Sequence, residues 1–174
     1  TESTAHPHAT RRLALVYTGI IENFRELREV LEKKGAKFGS DQDNEVVAHL
    51  VTEEMKGGCP PAKAVAMVLP RLRGAFALAF LFTGEENLLI GARKGSPLAI
   101  GYGEGEMYLG SDAIALAPFT DTISYLEDGD AAVLTRSGAD VFDAKGSKVE
   151  RAVLKSSAAA FLVDKGNYRH FMAK

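Results

Sequence analysis

The 174-residue sequence has little of what marks disulfide-bonded, zinc-binding, membrane or nucleic-acid-binding proteins. Its single cysteine excludes an internal disulfide and a zinc site built on two thiolates. Lys and Arg number 21 against 23 Asp and Glu, so the net charge of -2 lacks the basic surplus of a nucleic-acid binder. The longest apolar run, residues 75–82, is far shorter than the ~20 residues that span a bilayer. We therefore expect no nucleic-acid partner and no membrane insertion.

The amino terminus has neither the basic start nor the apolar stretch of a secretory signal. Cys59 lies among Gly and Pro residues, in a segment typical of a loop, and is interpreted as a reduced thiol. These features predict a cytoplasmic protein. The length suits one domain, residues 1–174.

The apolar pattern changes near residue 74. Before it, a strand at residues 12–17 stops at Thr18 and Gly19, and helical periodicity follows, with Asn23 and Glu26 placed as a capping box. After it, short apolar runs alternate with turn residues, which predicts antiparallel hairpins and an α+β fold. The predicted helices cover residues 23–34, 43–56 and 61–70. The predicted strands cover residues 75–82, 88–92, 98–102, 107–110, 123–126, 131–135 and 141–142.

Two places could carry chemistry, and each also has an ordinary structural explanation. The junction at Thr18 and Gly19 would expose backbone N–H groups that can stabilise an oxyanion in acyl transfer. The pattern favours the simpler explanation, that glycine only permits a turn there. Asp43, at the start of the second predicted helix, could bind a substrate ammonium or act only as a helix cap.

Two further patterns are weaker. Gly101, Gly103 and Gly105 resemble a dinucleotide-binding fingerprint, but the third glycine is one place early and a strand follows, which favours a hairpin turn. His6 and His8 have no acidic residue or third histidine near them in the sequence, so no metal site is predicted. No cofactor is indicated either.

Read together, several segments resemble one family in their order and spacing. The chain is similar to the glutaminase domains of class II glutamine amidotransferases, and in particular to those of glucosamine-6-phosphate synthase, also called glutamine:fructose-6-phosphate aminotransferase (isomerizing). The resemblance covers essentially the whole chain. It rests on residues 5–8, 18–24, 43–51, 72–77, 91–98, 111–113, 126–130 and 165–172.

The resemblance implies an N-terminal-nucleophile hydrolase fold, in which two antiparallel sheets lie between helical layers. It implies hydrolysis of L-glutamine to glutamate and ammonia, which isomerase domains absent from this chain would use to convert fructose 6-phosphate into glucosamine 6-phosphate. By position, Gly19 and Thr18 would form the oxyanion hole, and Asp43 would bind the α-ammonium of glutamine. Gly19 would also help to hold the substrate, and His6 would lie near the site. The full-length protein is expected to be a homodimer.

Two departures from the family pattern concern catalysis. The family attacks glutamine with a cysteine at the first position, whereas this chain begins with Thr1, so the fold is expected to be incomplete at its amino terminus and the chain inactive alone. Cys59 is not expected to replace that nucleophile. The family has His-Asn-Gly where this chain has Tyr17, Thr18 and Gly19, and losing one oxyanion donor typically costs about 100- to 1000-fold in rate.

Two alternatives stay open. Tyr17 and Thr18 would also suit a degenerate amidotransferase-like domain that binds an amino acid or a partner without catalysis. The glutaminase domain of another class II amidotransferase, such as the purine-pathway enzyme, is the second alternative. The ending of the chain, residues 165–172, favours the sugar enzyme over it.

Overall fold

The computed structural model describes residues 8–10 and 12–157, which form two antiparallel sheets and four helices. The strands are β1 His8–Ala9, β2 Leu13–Ile21, β3 Gly74–Phe82, β4 Leu89–Lys94, β5 Ala99–Tyr102, β6 Met107–Gly110, β7 Thr122–Tyr125, β8 Ala131–Thr135, β9 Gly138–Phe142, β10 Lys148–Val149 and β11 Leu154–Lys155. The helices are α1 Phe24–Lys33, α2 Asp43–Lys56, α3 Pro61–Val68 and α4 Ala113–Leu116, with a 3₁₀ turn at Leu69–Arg71.

The strands divide into a large and a small sheet. The large sheet has the order β1-β2-β3-β4-β8-β9-β10, and the small sheet has the order β11-β7-β5-β6. All these strand pairs are antiparallel. β2 and β3 are paired along their full length, from Leu13 opposite Phe82 to Ile21 opposite Gly74. This long pair carries the candidate site.

Helices α1, α2 and α3 cover one face of the large sheet. In α2, Val46, Val47, Leu50 and Val51 recur at helical spacing and are each at most 1% exposed. They pack in one core with Leu13, Leu15 and Ile21 of β2 and with Phe76 and Phe80 of β3. Full burial of one such side chain contributes roughly 1.5–3 kcal/mol, so this core holds the helices on the sheet.

The small sheet covers part of the opposite face. Leu98 and Ile100 beside and within β5 pack against Ala132, Leu134 and Val141 of β8 and β9. On the outer side of the small sheet, Leu116 of α4 packs with Ala99 and Ile123. The layers therefore run helices, large sheet, small sheet and the single-turn helix α4, as expected for the α/β/β/α sandwich.

The small sheet does not extend over β2 and the neighbouring part of β3. The face of these strands that points away from the helices is therefore not covered by the described residues. Val16 is 44% exposed, Ile20 67% and Leu81 57%. Side chains alternate along a strand, so these residues and Thr18 lie on the face opposite to the helices.

A buried ion pair joins the two sheets. Asp130, just before β8, is 1% exposed and accepts bonds from Arg151 Nε at 2.8 Å and Arg151 Nη2 at 2.9 Å. It also accepts the Glu127 N–H at 2.7 Å. Arg151 lies on the segment that leads from β10 to β11, so the pair fixes the crossing between the sheets.

Most predicted elements are confirmed. The three predicted helices are α1, α2 and α3, and the seven predicted strands after residue 74 are β3 to β9. The segment with three glycines is a hairpin turn, closed by the Gly103 N–H and the Glu106 carbonyl at 3.0 Å. The sequence patterns missed the very short elements α4, β1, β10 and β11.

Two local predictions were wrong. The first strand does not stop at Thr18 and Gly19 but continues to Ile21, because pairing with β3 carries it through the glycine. The capping box does not form, because the buried Asn23 side chain bonds the chain before β3 instead, donating to the Arg71 carbonyl and accepting the Arg73 N–H. Glu26 pairs with Arg73 at 3.1 Å.

Candidate active site

The site is built on one edge of β2. Two hydrogen bonds just beyond the ends of the β2–β3 pair indicate which residues of β2 face β3. The Thr83 N–H donates to the Arg12 carbonyl, and the Glu22 N–H donates to the Arg73 carbonyl. Arg12 and Glu22, which flank β2, are both even-numbered. Because hydrogen-bonded pairs alternate in an antiparallel ladder, the odd-numbered residues direct their backbone N–H and C=O groups away from β3. β1 pairs only with Ala14 and Leu15, so among the described residues no strand covers this side at residues 17–21. We call this side, at residues 17–21, the β2 edge.

Gly19 is at the centre of the β2 edge and could not be another residue without a shift of backbone. Its φ is +102°, a region that side chains disfavour. A Cβ placed there would lie 2.1 Å from the Ala75 carbonyl oxygen and 2.8 Å from Phe76 Cα. Glycine is therefore required by close approach of two strands, and not by a turn as its position between strand and helix patterns predicted.

Asp43 brings a carboxylate to the β2 edge. It is the first residue of α2, and its Oδ2 accepts the Ile21 N–H at 2.9 Å. The N-cap residue of α2 is Gln42, and no side chain forms a capping hydrogen bond. Asp43 therefore does not act as the helix cap, and its carboxylate bonds the neighbouring strand instead. Ile21 and Gly19 are two residues apart on the same edge, which separates their amide nitrogens by about 7 Å. The structure therefore brings together Gly19 and Asp43, two of the predicted site residues.

Tyr17 is a third member of this arrangement, and sequence reasoning gave it no role beyond a departure from the family pattern. Its ring packs partly against the helix-side core, and the Asp43 carboxylate acts on the pKa of its hydroxyl. Burial, followed by the hydrogen bond and the charge of Asp43, raises the pKa of Tyr17 to about 12. At neutral pH the hydroxyl therefore keeps its proton.

The loop before α2 is held by Glu45. Its carboxylate accepts the N–H groups of Gly39 at 2.6 Å and Ser40 at 2.8 Å, and the Ser40 hydroxyl at 2.6 Å. Burial alone would raise the pKa of Glu45, but these bonds and the nearby His49 outweigh it and lower the pKa below its usual value. The loop that delivers Asp43 is thus tied to the helix that follows it.

Arg28 and His49 both contact residues of the loop before α2. Arg28 of α1 donates to the Ser40 carbonyl at 2.9 Å and lies over the Phe38 ring, 4.6 Å from its centre. The His49 ring lies 4.6 Å from that of Phe38 and its Nε2 is 3.9 Å from Glu45 Oε1. Burial lowers the pKa of His49. His49 has the packing role that its apolar neighbours predicted.

The remaining predicted residues are placed differently. Thr18 is exposed on the face of β2 away from the helices, and its backbone belongs to the ladder with β3. His6 and Thr1 lie outside the described residues. Cys59 follows the far end of α2, whose 14 residues span about 20 Å, so its thiol is remote from Asp43. It lies 3.8 Å from the sulfur of Met67.

Two absences among the described residues bear on other functions. In residues 8–10 and 12–157 no group of three or more His, Cys, Asp or Glu side chains is arranged to hold a metal ion. None of the helices described there is both long enough and apolar enough to cross a membrane.

Comparison with known families and curated proteins gives consistent matches. A family model described as "Glutamine amidotransferase domain" matches residues 2–118. The glutamine–fructose-6-phosphate aminotransferase [isomerizing] of Brucella abortus biovar 1 (strain 9-941) is 65% identical over 173 residues, which cover 99% of this chain and 28% of that protein. The protein of the same name from Bradyrhizobium diazoefficiens is 66% identical over 174 residues, covering 100% of this chain and 29% of that protein. The chain thus spans less than a third of these relatives.

Solved structures match the fold. A glutamine phosphoribosylpyrophosphate amidotransferase from B. subtilis, complexed with ADP and GMP, has a TM-score of 0.66 at 25% identity, covering 82% of this chain and 31% of that one. A glutamine aminotransferase class-II domain protein from Silicibacter pomeroyi has a TM-score of 0.58 at 20% identity, covering 82% and 71%.

Proposed function

Because this chain belongs to the glutamine amidotransferase domain family, we propose that it binds L-glutamine along the β2 edge, with Asp43 on the α-ammonium and Gly19 beside the reacting amide. Thr18 is proposed at the second oxyanion position, and His6 near the substrate. A carboxylate such as that of Asp43 is the natural partner for a substrate cation.

The observation that carries the proposal is the bond between Asp43 Oδ2 and the Ile21 N–H, at 2.9 Å. It fixes a carboxylate on the same strand edge as Gly19. Extended glutamine has about 5–6 Å between its α-nitrogen and its side-chain amide, close to the spacing of two residues on a strand. One end of the substrate could therefore reach Asp43 while the other reaches the Gly19 N–H.

The proposed chemistry is acyl transfer from the side-chain amide. Attack by a thiol would form a tetrahedral intermediate whose negative oxygen the Gly19 N–H can stabilise, and ammonia would leave before water hydrolyses the thioester. The only cysteine of the sequence, Cys59, lies about 20 Å along α2 from Asp43. We therefore expect the 174-residue chain to bind glutamine and not to hydrolyse it.

The activity of the longer protein is proposed from its relatives. Glutamine–fructose-6-phosphate aminotransferases share 65–66% of this sequence, although the chain spans under a third of their length. We propose that ammonia released here would convert fructose 6-phosphate into glucosamine 6-phosphate, in a cytoplasmic homodimer. Formation of glucosamine 6-phosphate from both substrates by the complete gene product would support this, and ammonia release without the amino sugar would contradict it.

Calorimetric titration of the 174-residue chain with glutamine tests the proposed site. Asp43→Asn should weaken glutamine binding about 10- to 100-fold, because a hydrogen bond between charged groups contributes roughly 1.5–3 kcal/mol. The matched control is Asp41→Asn, since Asp41 is fully exposed and contacts Arg28 at 3.1 Å. Equal glutamine affinities of wild type and Asp43→Asn would show that Asp43 does not contact glutamine. Failure of wild type to bind glutamine would reject the proposed function.

A second candidate function is a degenerate domain that binds an amino acid without catalysis. The exposed side chain of Thr18, on the face away from the helices, favours it, because a short hydroxyl there is a poor replacement for an amide donor. Glutamine binding without ammonia release in the complete gene product would support this candidate. Turnover would reject it.

A further inference from the structure

The side chain of Asn23 continues the β2–β3 pair beyond the end of β2. In an antiparallel ladder, the two residues of a hydrogen-bonded pair exchange both of their backbone N–H and C=O bonds. The Glu22 N–H donates to the Arg73 carbonyl at 2.7 Å, but the Arg73 N–H donates to Asn23 Oδ1 at 2.9 Å. Asn23 Nδ2 in turn donates to the Arg71 carbonyl at 2.7 Å. One side-chain amide therefore takes the place of the backbone where the chain turns from β2 into α1.

This function depends on the residue type. A carboxamide has an acceptor oxygen and a donor nitrogen, as a peptide group does, so a single Asn side chain can serve both Arg73 and Arg71. Asp at this position would keep the acceptor and lose the donor, and Ala would lose both. The side chain of Asn23 is buried, at 8% exposure, so water is poorly placed to replace either bond.

The bonds made by Asn23 lie beside the closest approach of β2 and β3. Two glycines with positive φ are found there, Gly19 at +102° and Gly74 at +129°. A Cβ on Gly74 would lie 2.2 Å from the Ile20 carbonyl oxygen, much as one on Gly19 would lie 2.1 Å from that of Ala75. Glycine gives the backbone wide conformational freedom, so this part of the pair needs bonds from outside to keep one conformation.

We propose that Asn23 is a positioning residue, whose amide fixes the backbone at Gly19 so that the Gly19 N–H meets the side-chain amide oxygen of glutamine. This inference rests on the proposed function. Asn23 acts on the side of β2 that faces β3, whereas Asp43 accepts the Ile21 N–H at 2.9 Å on the β2 edge. The segment that carries Gly19 is thus held on both sides, and Asn23 acts only through the backbone.

A positioning role and a merely structural role differ in what they do to glutamine affinity. If Asn23 only stabilises the turn into α1, its replacement lowers the free energy of unfolding, but the molecules that remain folded bind glutamine as before. If Asn23 positions Gly19, folded molecules also bind glutamine more weakly. The titrations are therefore made under conditions in which urea unfolding shows every variant to be folded.

The test measures the dissociation constant of L-glutamine by calorimetry for the 174-residue chain and its variants. Asn23→Ala should raise the constant about three- to tenfold, the size expected for loss of one neutral hydrogen bond to the ligand. Asn23→Asp should raise it less, because the acceptor for the Arg73 N–H is kept. Unchanged affinity in Asn23→Ala would overturn the proposal. Should that variant not fold, unchanged affinity in Asn23→Asp would do so.

Ser124→Ala is the matched control. Ser124 is also a buried polar residue whose side chain donates to a backbone carbonyl, that of Ala152 at 3.0 Å, but it lies in the small sheet. Its replacement should lower stability and leave the dissociation constant of glutamine unchanged. An equal rise of the constant in Ser124→Ala and Asn23→Ala would overturn the proposal, because it would show that any loss of a buried hydrogen bond weakens the site.

A second measurement needs no ligand. The three-bond coupling between the amide and α protons of Gly19, measured by NMR, reports its φ. This coupling should change in Asn23→Ala, whereas that of Gly58, which has a φ of +92° after the end of α2, should not. An unchanged coupling at Gly19 would overturn the proposal.

Two results separate this inference from the proposed function. Failure of wild type to bind glutamine would reject the proposed function, and this inference with it. Glutamine binding that is weakened by Asp43→Asn but not by Asn23→Ala would reject this inference alone.

Discussion

The two ends of the large sheet are stabilised in different ways. At β2, polar side chains bond backbone groups far away in sequence, as Asp43 does with Ile21 and Asn23 with the segment before β3. At β8 and β9, apolar residues such as Leu134 and Val141 pack against the small sheet. The first arrangement fixes particular atoms at particular distances, whereas the second fixes only the separation of two layers. A binding site needs the first kind, and the candidate site is at that end.

The largest expected effect would break the β2 end. Gly19→Ala should lower the free energy of unfolding by about 4 kcal/mol, because a strained φ and an overpacked contact each cost roughly 1–3 kcal/mol. The added Cβ would meet the Ala75 carbonyl oxygen at 2.1 Å. Urea unfolding measures the change.

Gly35→Ala is the matched control for that substitution. Gly35 also has a positive φ, +95°, but a Cβ there would meet nothing within 4 Å. It should cost only about 1 kcal/mol, the conformational term alone. Equal losses in the two variants would mean that the close approach of β2 and β3 does not explain the glycine.

The second effect concerns the β8 end of the large sheet. There the ion pair of Asp130 and Arg151 lies beside the apolar layers. Asp130→Asn should cost about 3 kcal/mol, because it removes the buried carboxylate that bonds Arg151 at 2.8 Å and leaves only the exposed Glu127, at 3.2 Å, as a charged partner of Arg151. Asp140→Asn, which removes an exposed partner of Lys148, should leave the unfolding midpoint unchanged. If both variants unfold alike, packing alone holds the two sheets together.

The smallest expected effect, at Glu45, depends on pH. The pKa of Glu45 is lowered in the folded state, so its stabilisation is complete above the ordinary value of 4.5 and is lost as the pH falls through the folded value. Glu45→Gln should therefore cost about 1 kcal/mol at pH 7, a figure that allows for partial solvent screening. The difference from wild type should shrink steadily below pH 4.5 in urea unfolding. A difference that does not depend on pH would contradict the hydrogen-bonded carboxylate.

Local patterns predicted the elements well and the contacts between them poorly. The helical stripe of Val46, Leu50 and their neighbours predicts α2 because that signal lies within a few turns of chain. No local pattern predicts that Asp43 bonds Ile21, since 22 residues separate them. Asn23 shows the same limit: it is a good cap by type, but its side chain bonds residues 48 and 50 positions away.

Resemblance to a family predicted which residues form the candidate site. It did not predict the contacts between them. Gly19 and Asp43 were predicted as site residues by position in a family pattern, and the structure brings both to the β2 edge. Tyr17 could have been found only by extending β2 past Gly19, since its place on the same edge follows from strand alternation. Because the sequence pattern ended this strand before Thr18, it did not indicate that Tyr17 and Gly19 share one strand edge.

The most direct measurement of the central claim is a structure of this protein with glutamine bound. We expect the α-ammonium nitrogen within about 3 Å of an Asp43 carboxylate oxygen, and the side-chain amide oxygen within about 3 Å of the Gly19 nitrogen. Glutamine bound in the reverse orientation, or bound away from residues 17–21 and Asp43, would contradict it.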